Sequence, residues 1–197
     1  IPEYDYVSRD RTIAGYKLLN GRELTAFRFG KLNSPDKEIV AKQLAEFVTT
    51  IHATPRSVIK KFRVKSTNQQ ELYEELVHAI RKLVFPKINK KNAQLVESYF
   101  KELELTLHHS FRNVLVHNDL TDEHILWDAS KKQVNVIDFG DRAFGDPAID
   151  FAGILEYGSK FAEHVFELYR GEKDEHMLDR SRLYFKRVPL YMMKDSL

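Results

Sequence analysis

Three side chains able to handle a proton or a metal stand near one another in this sequence, each at the edge of a short apolar run. Asp119 follows Val114-Leu115-Val116-His117-Asn118, His124 precedes Ile125-Leu126-Trp127, and Asp138 ends Val134-Asn135-Val136-Ile137. Asp119 and His124 are five residues apart, and Asp119 and Asp138 nineteen. A strand, a turn and a strand fit in that interval, so one hairpin can bring two loops face to face. The arrangement suits phosphoryl transfer from a nucleotide. Asp119, on a loop held by the preceding strand, can accept a hydrogen bond from a hydroxyl and orient it for in-line attack on a γ-phosphate. Asp138 can bridge a divalent cation to the β- and γ-phosphates, and Gly140 beside it is free to take a turn most residues resist. His124 is the unusual member. A neutral imidazole is an acceptable neighbour for Mg²⁺, but Asn or Asp would be the harder oxygen ligand. Alone, an H-x-D or D-F-G triplet means little; the combination carries the weight.

The elements around these loops follow from periodicity and punctuation. Tyr4–Ser8 and Thr12–Leu19 read as two short strands around an Arg9-Asp10-Arg11 turn, with Asn20-Gly21 breaking the second. Ser34 and Pro35 read as the cap and first position of a helix whose Val40, Leu44, Phe47, Val48 and Ile51 share one face. A second helix spans about Gln69 to Phe85, closed by Pro86, and a third about Asn92 to His109. The period then shortens to that of strands through Val114–Val116, Ile125–Trp127 and Val134–Ile137, the last two joined by a turn over residues 128–133. Asp146-Pro147 opens a further helix to Gly158, and two more follow, with Pro189 expected to kink or split the last. The fold class is α+β, mainly helical, with a small β insertion carrying the polar loops.

Composition bounds the partners. With 43% hydrophobic and 12% aromatic residues over 197 positions, the chain can bury a core of one domain or one large lobe. No apolar run approaches the roughly 18 residues of a membrane span. Zero cysteines excludes disulfides and thiolate metal sites, and fits a reducing cytoplasm, where the protein is expected. The net charge of +2 hides an uneven distribution: residues 117–158 hold nine carboxylates against Lys131, Lys132 and Arg142. Such a block favours divalent metals and cationic substrates and repels nucleic acid.

The run His117-Asn118-Asp119-Leu120-Thr121-Asp122-Glu123-His124, followed by Ile137-Asp138-Phe139-Gly140-Asp141 and Gly145-Asp146-Pro147-Ala148-Ile149-Asp150-Phe151-Ala152, resembles the aminoglycoside phosphotransferase family, whose fold is protein-kinase-like. Most of that family has Asn where this chain has His124; a histidine is similar to the 2″-aminoglycoside branch. The resemblance implies antibiotic resistance by phosphorylation of an aminoglycoside, with ATP or GTP as donor and Mg²⁺ as cofactor. It implies Asp119 as catalytic base and His124 and Asp138 as metal ligands. Leu126 and Ile137 would floor the adenine pocket, and backbone groups at Tyr16, Lys17, Leu18 and Leu19 would form the purine-binding hinge. Asp150 would brace the catalytic loop together with His117. Glu156 would meet the antibiotic's ammonium groups alongside Asp119, with Asp122, Glu123 and Asp141 as further candidates.

A complete enzyme of this kind also needs a glycine-rich loop over the phosphates and a strand lysine paired with a helix glutamate. Neither is found among these 197 residues. The chain therefore reads as residues 1–24, a hinge and strand segment, and residues 25–197, a helical core and substrate lobe. An N-terminal nucleotide-binding lobe is expected to be absent from these residues, and the end inside a helical segment is read as a shortened C-terminus as well. Weak or absent turnover and an uncovered apolar docking face are expected in consequence. Competing readings keep the fold and change the acceptor to choline, homoserine, fructosamine or a macrolide, or remove catalysis and leave a binding module. For choline, Tyr157, Phe161 and Tyr169 could supply part of an aromatic cage.

Overall fold

The computed structural model describes residues 1–10 and 12–197, so Arg11 of the first turn lies outside the described residues. Strands β1 (Tyr4–Val7) and β2 (Ala14–Tyr16) form an antiparallel hairpin, with Asp10 accepting hydrogen bonds from Ser8 Oγ and from Thr12. Next come β3 (Arg22–Glu23), α1 (Ala26–Gly30), α2 (Ser34–His52) and α3 (Arg56–Lys61). Helix α4 (Gln69–Ala79) runs through a wide turn (Ile80–Val84) and a tight one (Phe85–Lys87) into α5 (Lys90–Leu107). The β insertion comprises β4 (Val114–Val116), β5 (Ile125–Asp128), β6 (Gln133–Val136) and β7 (Ala143–Gly145). Four helices close the chain: α6 (Ala148–Ile154, tightening over Leu155–Tyr157), α7 (Ser159–Leu168), α8 (Met177–Lys186) and α9 (Val188–Asp195). The α+β, mainly helical architecture matches the sequence expectation.

Helix α2 is the central post. Val40, Ala41, Leu44 and Val48 are fully buried on one face, as their spacing requires. Its cap is Asn33 rather than Ser34: the Asn33 side chain accepts the Asp36 N–H at 2.8 Å, which moves Pro35 one place into the first turn. The same choice recurs at Asn89, which caps α5 two residues before the expected start. Pro86 cannot donate to the preceding turn, and α4 widens just ahead of it. Pro189 splits the last helix into α8 and α9.

Three small antiparallel pairings carry the loops. Strand β5 lies between β3 and β6, and β4 pairs with β7. Ile125 pairs with Val136 and Leu126 with Asn135, so Ile125 and Trp127 face the core while Leu126 faces the opposite side. β3, β7, α1 and α3 are absent from the sequence reading because each is too short to show a period. Strand β2 also falls short of the expected Thr12–Leu19. An apolar cleft of ≈ 690 Å³ lined by Phe47, Ile51, Leu115, Val134 and Phe139 is open to solvent, and Tyr4, Tyr6, Val7 and Ile13 of the first hairpin are exposed. No helix among the described residues is long and apolar enough to cross a membrane.

Candidate active site

Strand β4 delivers the first loop. His117 and Asn118 follow it directly, and Asn118 takes a left-handed conformation (φ 69°) that turns the chain sharply before Asp119. The turn is held from below by Asp150, in the first turn of α6 and fully buried. Its Oδ2 accepts the His117 N–H at 3.0 Å and its Oδ1 the Asn118 N–H at 2.9 Å. The His117 imidazole, also buried, lies 2.9 Å from the carbonyl of Ile137, so it ties the first loop to the residue preceding Asp138. Asp119 is left with its side chain 39% exposed, in a position to meet a substrate.

The second loop faces the first across His124. Its Nδ1 lies 2.8 Å from the Asp119 carbonyl oxygen, which can only accept, so Nδ1 carries the proton. Nε2 lies 3.6 Å from Asp138 Oδ2, so the imidazole and the second carboxylate present a nitrogen and an oxygen to the same space. Were a divalent cation to bind here, His124 Nε2 and the Asp138 carboxylate would be the residues to hold it. Among the described residues no three His, Asp or Glu converge as a metal cage. Asp138 is itself left-handed (φ 59°) and its Oδ1 accepts the Gly140 N–H at 3.2 Å, which sets the carboxylate towards His124. Asp119 Oδ2 is 3.2 Å from the other imidazole nitrogen, so base, imidazole and second carboxylate form one continuous group.

The remaining predicted positions divide. Asp122 and Glu156 lie beside the loop but are partly committed. Asp122 Oδ2 accepts the Ala26 N–H at 2.7 Å, and Glu156 Oε2 accepts the Asp122 N–H at 2.7 Å. Burial pushes the Glu156 carboxyl above its usual range, against the Asp122 N–H. Glu123 and Asp141 are exposed. Leu126 and Ile137 are half-buried on the open side of the hairpin. Tyr16, Lys17 and Leu18 are exposed, Leu18 to 93%. Their segment is anchored to the hairpin just beyond, where Asn135 Nδ2 donates to the Asn20 carbonyl at 2.9 Å. The suggested aromatic cage does not form. Tyr169 is buried and bonded to His52, and Tyr157 is buried against Phe29 and Phe161. His52, whose Nε2 lies 3.0 Å from Asp150 Oδ2, was invisible in the sequence, because its partner is 98 residues away.

This geometry can be set beside known proteins. The sequence model of the group described as the phosphotransferase enzyme family matches residues 11–184. The chain belongs to that family. Viomycin phosphotransferase of Streptomyces vinaceus is 27% identical over 142 residues, which are 70% of this chain and 48% of that protein. The chain thus spans about half the length of that curated relative. Among solved structures, a GDP and kanamycin complex of APH(2″)-IIia superposes with a TM-score of 0.85 at 26% identity, covering 96% of this chain and 67% of the other. A GDP complex of wild-type aminoglycoside 2′-phosphotransferase-IIIa does so with a TM-score of 0.87 at 25% identity, covering 99% and 68%. This member of the family therefore has the kinase-like fold expected from its motifs, over a part of the length of its relatives.

Proposed function

We propose that this chain carries the base and the metal ligands of a kinase that moves the γ-phosphate of ATP or GTP to a hydroxyl of an aminoglycoside. One observation carries the reading: both carboxylates approach one imidazole, Asp119 Oδ2 at 3.2 Å from His124 Nδ1 and Asp138 Oδ2 at 3.6 Å from His124 Nε2. Asp119 would accept the proton of the attacking hydroxyl as the new P–O bond forms and the bond to the nucleoside diphosphate breaks. His124 and Asp138 would hold Mg²⁺, which when bound would neutralise charge on the phosphate oxygens. The aminoglycoside as acceptor is supported by the kanamycin-bound relative and by the carboxylates of Asp119, Asp122, Glu123 and Glu156 around the first loop. The burial of Tyr157 and Tyr169 argues against a quaternary ammonium acceptor. The donors that must grip the phosphates, a glycine-rich loop and a lysine, would lie in the third or more of the relatives' length that this chain does not span, docked over the open apolar cleft.

Calorimetry with kanamycin, with and without GTP or ATP and Mg²⁺, tests the acceptor. Labelled-nucleotide transfer by the purified chain, and by the chain joined to a relative's N-terminal lobe, tests the reaction. We expect slow or no transfer by the chain alone, and transfer by the joined form that Asp119→Asn abolishes. Full activity of the isolated chain would refute the division between lobes. Absence of both kanamycin binding and transfer in the joined form would refute the acceptor.

A further inference from the structure

Three helices converge behind the base loop through a buried set of polar groups that the reaction itself does not use. His52 ends α2, Tyr169 follows α7 directly, and Asp150 lies in α6. All three are buried, and the side chains of His52 and Asp150 are 1% and 0% exposed. Asp150 as a carboxylate can only accept, and three N–H groups reach it: His117 and Asn118 from the loop backbone and His52 Nε2 at 3.0 Å. The proton shared with Asp150 therefore lies on Nε2. In the neutral imidazole that leaves Nδ1 with a bare lone pair, and among the described residues its hydrogen-bond partner is the Tyr169 hydroxyl at 2.9 Å. Burial, and then the negative charge of Asp150, push the Tyr169 phenol up to about 12, so it keeps its proton and can donate it.

We propose that Tyr169 and His52 are positioning residues for the base loop: the tyrosine hydroxyl fixes the imidazole proton on Nε2, and that N–H completes the grip of Asp150 on the backbone ahead of Asp119. The left-handed Asn118 is why such a grip is needed, because a strained turn persists only where its surroundings over-determine it. Gly171 belongs to the device. A side chain there would collide with the Tyr169 ring and hydroxyl, so the glycine leaves the phenol free to fold back onto His52.

The consequence for catalysis rests on Asp119 being the base, but the device can be read without any turnover. In the ¹⁵N-labelled chain, long-range nitrogen–proton spectra report the His52 tautomer, and amide exchange reports the hold on His117 and Asn118. We expect a proton on Nε2 alone. Tyr169→Phe should speed exchange at those two amides roughly tenfold relative to the buried Phe100 and Leu103 of α5, the effect of one lost hydrogen bond. Gly171→Ala should reproduce that pattern without removing any hydrogen-bonding group. His52→Gln, whose amide nitrogen can stand in for Nε2, should keep the protection, and His52→Leu should lose it. Tyr99→Phe, which removes a partly buried hydroxyl bonded to the Leu183 carbonyl at 2.8 Å, should leave the loop amides unchanged. In an active joined form, Tyr169→Phe should lower kcat with both KM values held. A proton on Nδ1, or loop exchange in Tyr169→Phe no faster than in Tyr99→Phe, would overturn the proposal. Absent transfer in the wild type with the exchange pattern intact would count against the functional reading alone.

Discussion

Gly153→Ala offers a sharp test of how the base loop is seated. Gly153 lies in the last turn of α6, where general helix energetics favour the change: alanine is better than glycine by about 0.5–1 kcal/mol. The local geometry opposes it. A Cβ at this position would collide with the carbonyl oxygen of Leu120 and stand 2.6 Å from its carbonyl carbon and 3.3 Å from Thr121 N. The obstacle is backbone, not the flexible end of a side chain, and Leu120 is itself locked in the core at 2% exposure. Relief requires the loop and helix to part by about 1 Å, and overpacking of this kind costs about 1–3 kcal/mol. The clash therefore outweighs the propensity gain, for a net loss of about 1–2 kcal/mol, or about 2–8 °C in Tm at this chain length. Leu120 is the residue after Asp119, so the same displacement moves the base, and a misplacement of about 1 Å corresponds to about 10²-fold in rate. Thermal unfolding reads the first effect and transfer by the joined form the second. Gly30→Ala, where a Cβ would meet nothing within 4 Å, is the control and should not destabilise. A Gly153→Ala chain with an equal or higher Tm and undiminished transfer would show that the close approach of α6 does not seat the loop.

Three further outcomes follow from the same geometry. Mn²⁺ should broaden NMR signals around His124 and Asp138 in the wild type; Asp138→Asn should weaken that at least tenfold, while His124→Asn, which puts an amide oxygen in place of the imidazole nitrogen, should retain most of it. Unaltered broadening in Asp138→Asn would place the cation elsewhere. Arg180→Leu should cost about 3–5 kcal/mol, because it strands the buried Asp146, bonded to Arg180 at 2.7 and 3.1 Å, and frees Asp174. Denaturant titration should show part of that loss restored when Asp146→Asn is added. Burial raises the Asp174 carboxyl, but the Arg180 guanidinium outweighs it and holds the group below its ordinary 3.8. A depressed carboxyl contributes stability that is complete above the unfolded value and lost as pH falls through the folded one. Asp174→Asn should therefore flatten the acid limb of the stability curve below about pH 4, and an unchanged limb would sink that assignment.

What the sequence made legible, and what it did not, follows from the range of each interaction. Asp119, His124 and Asp138 were readable because His124 and Asp138 flank one short hairpin and Asp119 lies only five residues before His124, on the loop that follows β4. Helices α2, α4 and α5 were readable because each repeats its apolar face over several turns. Their starts were read less well at α2 and α5, since Asn33 and Ser34 can both cap and only the backbone conformation chooses between them. The substrate-side carboxylates were half legible. Charge counting finds Asp122 and Glu156, but not that each spends an oxygen on a backbone N–H of a neighbouring segment. The support behind the loop left no local trace. Asp150 meets His52 across 98 residues, and His52 meets Tyr169 across 117. The two classes of residue should therefore fail differently. On the proposed function, substitution at 119, 124 or 138 would remove an atom that reacts or ligates. Substitution at 52, 153 or 169 leaves every such atom in place and moves it, so its signature is a lowered kcat with binding retained and an altered exchange rate at the loop amides.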